Sequence, residues 1–323
     1  VLAWPDEERD VSTNTGNRSF IYYSWAVLAY VVGVIVWGAF VRATGSGAGC
    51  GQHWPLCNGQ VLPRAPELAT LIEFSHRITS GLSLLLVGGL VFLAFKRFPR
   101  GGAVRQGAVA SAVLLVVEAV IGAGLVLLRL VGDDDSVLRA IVIAVHLINT
   151  FILLGSLSYT AWSATTGQVE RLRLPAGPSS RALVVGVLLF LAVGASGAIV
   201  ALGDTLFPSS SFAEGLRQDF SPAAHFLIRL RVIHPALAIL TSLHLLFVAA
   251  RHNAFAWLGT AVLAQVAVGA SNMFLAAPIS LQLLHLFLAD VSWVALMLTA
   301  FRALRETRPI DTAAPVPRLV VQA

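Results

Sequence analysis

Four of the chain's eight histidines, His76, His146, His234 and His285, fall inside long apolar runs. Ionisable groups in such runs are costly and usually functional. A lone histidine there is more often a helix-to-helix hydrogen bonder, but a duplicated pair at matched depth favours ligation. Two neutral imidazoles facing each other across a four-helix bundle suit a low-spin haem iron, with one ring nitrogen on each side. The pattern predicts two haem sites, His76 with His146 and His234 with His285. A dinuclear metal site would want carboxylates at the same depth in both halves, and only one half offers one. That group is Glu73, three residues before His76 and so on the same helix face. Its counterpart before His234 is Arg231. A glutamate beside a haem can exchange protons or stabilise positive charge, whereas an arginine suits propionate neutralisation. The first site therefore reads as chemical and the second as a redox relay. The competing reading of Glu73 is an interface acid paired with Arg77. His53, His225, His244 and His252 are read as non-ligands. Glu118, matched by Gln265, is read as a packing hydrogen bonder.

The elements that must position these residues are membrane helices. Of 323 residues, 57% are hydrophobic and 12% charged, against about 25% charged in soluble chains. With a mean hydropathy of +0.79, this excludes a soluble enzyme and a disordered or fibrous protein. Continuous rather than alternating apolar runs argue against a β-barrel. The runs predict eight helices at about 21–42, 70–95, 106–129, 139–162, 182–203, 225–250, 254–276 and 280–303. The net charge of +5 does not point to nucleic acid, because the charges lie between the apolar runs. Lys96, Arg97, Arg100, Arg105, Arg171, Arg173, Arg181, Arg251, Arg302, Arg305 and Arg308 follow the even-numbered runs. The opposite loops carry Asp133, Asp134, Asp135, Asp204, Glu214 and Asp219. The bias predicts cytoplasmic termini and puts all four histidines toward the outer face. Arg42 is read first as an interface anchor. Cys50 and Cys57 fall in the first outer loop; in an oxidising compartment they read as a disulfide, or else as two free thiols.

The chain also repeats itself. Gly38-Ala39-Phe40-Val41 resembles Gly197-Ala198-Ile199-Val200, and Glu118-Ala119-Val120-Ile121-Gly122-Ala123 resembles Gln265-Val266-Ala267-Val268-Gly269-Ala270. Four spans per half is an even number, so the halves share one orientation. The expected fold is an all-α integral membrane protein of two tandem four-helix bundles. A pseudo-twofold axis along the membrane normal would relate them. The expected division is a cytoplasmic tail (1–20), the substrate-haem bundle (21–162), a cytoplasmic linker (163–181), the haem b bundle (182–303) and a second tail (304–323).

With these residues in view, the chain resembles the haem A synthase family. Ala43-Thr44-Gly45-Ser46-Gly47 leading to Cys50, then Trp54-Pro55-Leu56-Cys57-Asn58-Gly59, is similar to that family's first outer loop. Glu73-Phe74-Ser75-His76-Arg77 is similar to its glutamate and first histidine, and His146, His234 and His285 fall where its other histidines fall. The resemblance implies oxidation of the haem O C8 methyl group to a formyl, giving haem A for cytochrome oxidase. It implies His76 and His146 as axial ligands of the substrate haem, with Glu73 assisting the chemistry. It implies a permanent haem b on His234 and His285 that passes electrons, and a Cys50–Cys57 disulfide. Some members carry a second cysteine pair in the matching loop of the second half; here that loop, Asp204 to Pro222, has none. The implied setting is the plasma membrane of a prokaryote. The implied partners are the bilayer, a haem O synthase, cytochrome oxidase assembly proteins, an electron donor and a second copy of the chain. The alternatives are a two-haem membrane cytochrome b and a haem carrier without substrate chemistry. The Glu73/Arg231 difference favours unlike sites and so the enzyme.

Overall fold

A computed structural model describes residues 7–168 and 177–306. They form α1 (Glu7–Ala43), α2 (Leu68–Arg97), α3 (Ala103–Leu127), α4 (Val137–Thr166), α5 (Pro178–Leu206), α6 (Phe212–Asp219), α7 (Phe226–Arg229), α8 (Ile233–Arg251), α9 (Thr260–Phe274) and α10 (Ile279–Glu306). Among the described residues there is no strand beyond an isolated Cys57–Gln60 bridge. Eight helical stretches are long and apolar enough to cross a bilayer. Their ends lie within four residues of the expected ones, the widest gaps being 17 against 21 at the start of the first and 166 against 162 at the end of the fourth. The chain is an all-α, multi-pass membrane protein. Residues 1–6, 169–176 and 307–323, parts of the expected tails and linker, lie outside the described residues. Helix α1 begins at Glu7, within the segment expected to be a tail.

One span is not the continuous helix that the apolar run suggests. The sixth is α7, a tight 3-10 turn at Leu230–Val232, then α8. Pro235 explains the break: it has no N–H to give the carbonyl of Arg231, and its ring crowds that carbonyl. His234 therefore sits at the start of α8, while His76 lies within an unbroken α2.

In the first half α1 packs on α2, α2 on α3, α3 on α4, and α4 returns to α1. In the second half α5 packs on α8, α8 on α9, α9 on α10, and α10 returns to α5. The halves meet where α4 lies against α5 and α10, and where α1 lies against α10 and α5. Lipid supplies no hydrophobic drive between helices, so close packing and hydrogen bonds must hold this seam. Phe151 of α4, Phe190 of α5 and Trp293 of α10 form a mutual cluster with ring centres 5.3–5.4 Å apart. Trp293 Nε1 donates to the Phe151 carbonyl at 2.5 Å. Gly194 makes room for this cluster, because a Cβ there would fall 2.4 Å from the Phe151 ring. At the C-terminal end of α1, Arg42 donates to Ala201 O and Thr205 Oγ1 of α5, both at 2.6 Å, and to Gln282 Oε1 of α10 at 3.2 Å. Arg42 thus ties the two halves together, a more specific duty than the interface anchor expected of it.

Candidate functional site

Each of the four histidines lies against a glycine on the preceding transmembrane helix. A Cβ at Gly38 would come within 2.9 Å of the His76 ring, and one at Gly197 within 2.9 Å of His234. At Gly269 the approach to His285 would be 2.6 Å, and at Gly122 the approach to His146 would be 4.0 Å. These are the glycines of the internal repeat. A side chain at three of them would occupy the space of the imidazole. All four rings are half-buried.

In the second half His234 and His285 face each other with ring centres 6.4 Å apart and planes nearly perpendicular. An imidazole nitrogen sits about 2 Å from a bound metal, with the ring centre about 1 Å behind it. Two imidazoles on opposite sides of one metal therefore place their centres about 6 Å apart. The observed separation fits. His234 Nδ1 is held by Ser196 Oγ at 3.0 Å and by the Val193 carbonyl at 3.2 Å, which leaves Nε2 as the free ligand atom. His285 Nε2 lies 3.3 Å from Gln265 Nε2, and its Nδ1 is buried without a partner. In the first half His146 and Glu118 fall within electrostatic range of His76. His76 Nδ1 is also buried without a partner. The facing pair, the free His234 Nε2 and the glycine cradles fit a haem in the second half, and the first half shares the glycine cradles and an unpartnered His76 Nδ1. Among the described residues no group of three or more His, Cys, Asp or Glu could hold a bare metal ion. A bis-histidine haem site needs only two such side chains, because the porphyrin supplies the other ligands.

Glu73 occupies a more specific place than sequence reading gave it. It is 4% exposed. Its Oε1 accepts from Arg77 Nη2 at 2.5 Å and from Nε at 3.1 Å, and its Oε2 accepts from the Cys50 backbone N–H at 2.8 Å. Arg77 also donates to the carbonyls of His53 at 2.6 Å and Leu56 at 2.5 Å. Thr70 Oγ1 donates to Gly49 O at 2.7 Å. Residues 70, 73 and 77 share one face of α2, and that face grips the outer loop. Cys50 and Cys57, both fully buried, are joined by a disulfide within the gripped loop. Gly49 is pressed so close that a Cβ would fall 2.5 Å from the Ala69 backbone. The pairing with Arg77 weighed as the competing reading is present, and it is part of a larger clasp.

The second half closes its outer end differently. Arg231, buried, pairs with Asp204 of α5 at 3.0 Å and lies 3.7 Å from Asp219 of α6. It also donates to the carbonyls of Gly203 at 3.0 Å and Phe207 at 2.6 Å. Burial pushes the Asp219 carboxyl above its ordinary range, and the Arg231 guanidinium pulls it back. His225, read as a non-ligand, caps α7 and lies 3.5 Å from Asp135 across the halves. His244 bonds the Ala182 carbonyl at 2.9 Å.

Glu118 is the residue whose position sequence reading missed. Its Oε1 lies 3.2 Å from His146 Nδ1, off the line of an ideal hydrogen bond. Asp290 is fully buried with neither carboxylate oxygen hydrogen-bonded.

A family model described as cytochrome oxidase assembly protein, COX15-CtaA, matches residues 21–297. The chain belongs to the COX15-CtaA family. That membership agrees with the resemblance read from the outer loop and the Glu73–His76 segment. The chain is similar to a Thermus thermophilus protein called protoheme IX farnesyltransferase. The two are 46% identical over 292 residues, which is 87% of this chain and 48% of that protein. It is also similar to the heme A synthase of Bacillus mycoides, 44% identical over 93 residues, 29% of this chain and 30% of that protein. A Bacillus anthracis heme A synthase matches to the same extent. The chain therefore spans about half the length of the Thermus relative and less of the Bacillus ones.

Proposed function

We propose that the protein is a haem A synthase, oxidising the C8 methyl group of haem O to a formyl group. The observation that carries the reading is the fourfold pairing of a histidine with a repeat-matched glycine, in a chain of the COX15-CtaA family. Heme A synthase is the name of the Bacillus relatives, which supports the same activity here. Two successive hydroxylations would take the methyl through a hydroxymethyl to a geminal diol, whose loss of water leaves the formyl. In each, dioxygen as the external oxidant would give one oxygen atom to the carbon and the other to water, with two electrons and two protons supplied by an external reductant.

His76 and His146 hold the substrate haem in the first bundle, and Gly38 and Gly122 give their rings room. His234 and His285 hold a permanent haem b in the second bundle. That haem supplies one-electron transfer when bound. Glu73 is the carboxylate assigned to the chemistry of the first site. Arg77 and the Cys50 N–H bond both its oxygens, so its part in proton transfer would compete with its grip on the loop. Loop and chemistry are therefore coupled through one side chain.

The division into two bundles on a pseudo-twofold axis along the membrane normal belongs to the same proposal. Its support is that the contact of α4 with α5 is matched by that of α10 with α1. So does the orientation: a prokaryotic plasma membrane, both termini cytoplasmic and the haem sites toward the outer face. A disulfide in the outer loop supports it, since such bonds persist in oxidising compartments. The Thermus relative's name supports a farnesylated haem as substrate and a farnesyltransferase as its supplier.

Purified protein given haem O and a reductant in air-saturated buffer, so that dioxygen is the oxidant, followed by mass separation of the haems, tests the function. The wild type is expected to yield the hydroxylated and formyl products. Glu73→Gln is expected to retain haem b and lose product formation by at least about a hundredfold, the usual size of a proton-transfer contribution. Normal haem A from Glu73→Gln would place the chemistry elsewhere.

A further inference from the structure

The two halves differ most sharply around one histidine of each. Glu118 of α3 faces His146 of α4, with Oε1 3.2 Å from Nδ1. Its carboxylate is aimed by two more residues of α4. Asn149 Nδ2 donates to Oε2 at 2.5 Å, and the Thr150 hydroxyl donates to Oε1. Asn149 is itself fixed by the Leu114 carbonyl at 3.0 Å. His146, Asn149 and Thr150 stand at i, i+3 and i+4, on one helix face. The repeat converts this set into Gln265 with His285, Leu288 and Ala289. The charge and both aiming groups are absent together from the second half. Among the described residues His146 alone of the four histidines has a carboxylate beside it. His234 Nδ1 meets a hydroxyl and a carbonyl; the Nδ1 atoms of His76, His146 and His285 are all buried short of a well-aligned hydrogen bond, and of these three that of His146 has a carboxylate oxygen at 3.2 Å.

A metal-ligating imidazole that gives its other N–H to a carboxylate becomes a stronger electron donor to the metal. A stronger donor favours the oxidised iron, and such outer hydrogen bonds are among the levers that set haem potential. We propose that Glu118 is a positioning residue: it orients His146 and strengthens it as a ligand, giving the first-half haem a lower midpoint potential than the second. The neutral Gln265 leaves the second-half haem the easier one to reduce. The inference rests on the bis-histidine reading of the proposed function and assigns the two pairs unlike electronic roles.

The test is redox titration of the full chain in detergent, saturated with haem b so that both sites carry the same porphyrin. The wild type is expected to show two midpoint potentials, of which His146→Ala removes the lower. Glu118→Gln should raise the lower one toward the upper and leave the upper in place. Thr150→Val keeps the charge but loosens its aim, and should raise the same potential by a smaller step. Both haems bound with both potentials unmoved in Glu118→Gln would overturn the proposal. Should that variant fail to hold the first haem, an unmoved potential in Thr150→Val would overturn it equally. Failure of the underlying reading looks different: His146→Ala would then keep both haems, whatever Glu118 does.

Discussion

The end of the first half that carries the Cys50–Cys57 loop is closed by a carboxylate, and the corresponding end of the second half by a guanidinium. In the first, Glu73 collects Arg77 and the Cys50 N–H, and a disulfide stiffens the gripped loop. In the second, Arg231 collects Asp204, Asp219 and two carbonyls, and a helix, α6, replaces the disulfide. The same structural duty, fixing an outer connection above a histidine, is met with opposite charge. The difference explains why one cysteine pair suffices here. The second loop is held by ion pairs where the first has a covalent bond. It also shows that the Glu73/Arg231 contrast reports two different clasps.

The glycine cradles offer the largest effect with which to sharpen this comparison. Gly269→Ala is expected to displace the His285 ring and abolish haem binding in the second half, because the added Cβ would lie 2.6 Å from it. Gly122→Ala, with 4.0 Å to spare, should leave haem content unchanged. Absorption spectra of the two purified variants decide it; equal losses, or none in either, would deny the glycines this role. The clasps should give smaller effects. Arg231→Ala strands a partly buried carboxylate and two carbonyls, an expected cost of about 3 kcal/mol. Cys50→Ser releases a short loop, an expected cost of about 2–3 kcal/mol by chain entropy. Unfolding midpoints of the two variants test this order, and a smaller loss in Arg231→Ala would break the picture of equivalent closures.

Most of the fold was readable because membrane helices announce themselves by length and hydropathy, and their ends were placed within four residues. The break before His234 was not read, although Pro235 stood in the run as its cause. The four histidines stand out in the sequence as repeat-matched residues, and the structure brings one of the two expected pairs, His234 and His285, face to face. The glycines were equally visible as repeat-matched residues, yet sequence gives no sign that they face imidazoles. Glu118 does bond across helices, as its match with Gln265 suggested, but its approach to His146 was not legible. Its match with Gln265 reads as conserved hydrogen bonding, and only the fold places Asn149 and Thr150 around it. Glu73 was found by its charge, but its grip on Cys50 depends on a loop fold that no spacing reveals.

The central claim is that the two halves hold different haems for different purposes. Extraction of the haems from purified wild-type protein, followed by separation by mass, tests it most directly. The account predicts haem b together with haem O, its hydroxylated form or haem A, and loss of the haem b alone when His234 and His285 are replaced. Two equivalents of haem b per chain, and nothing else, would contradict it.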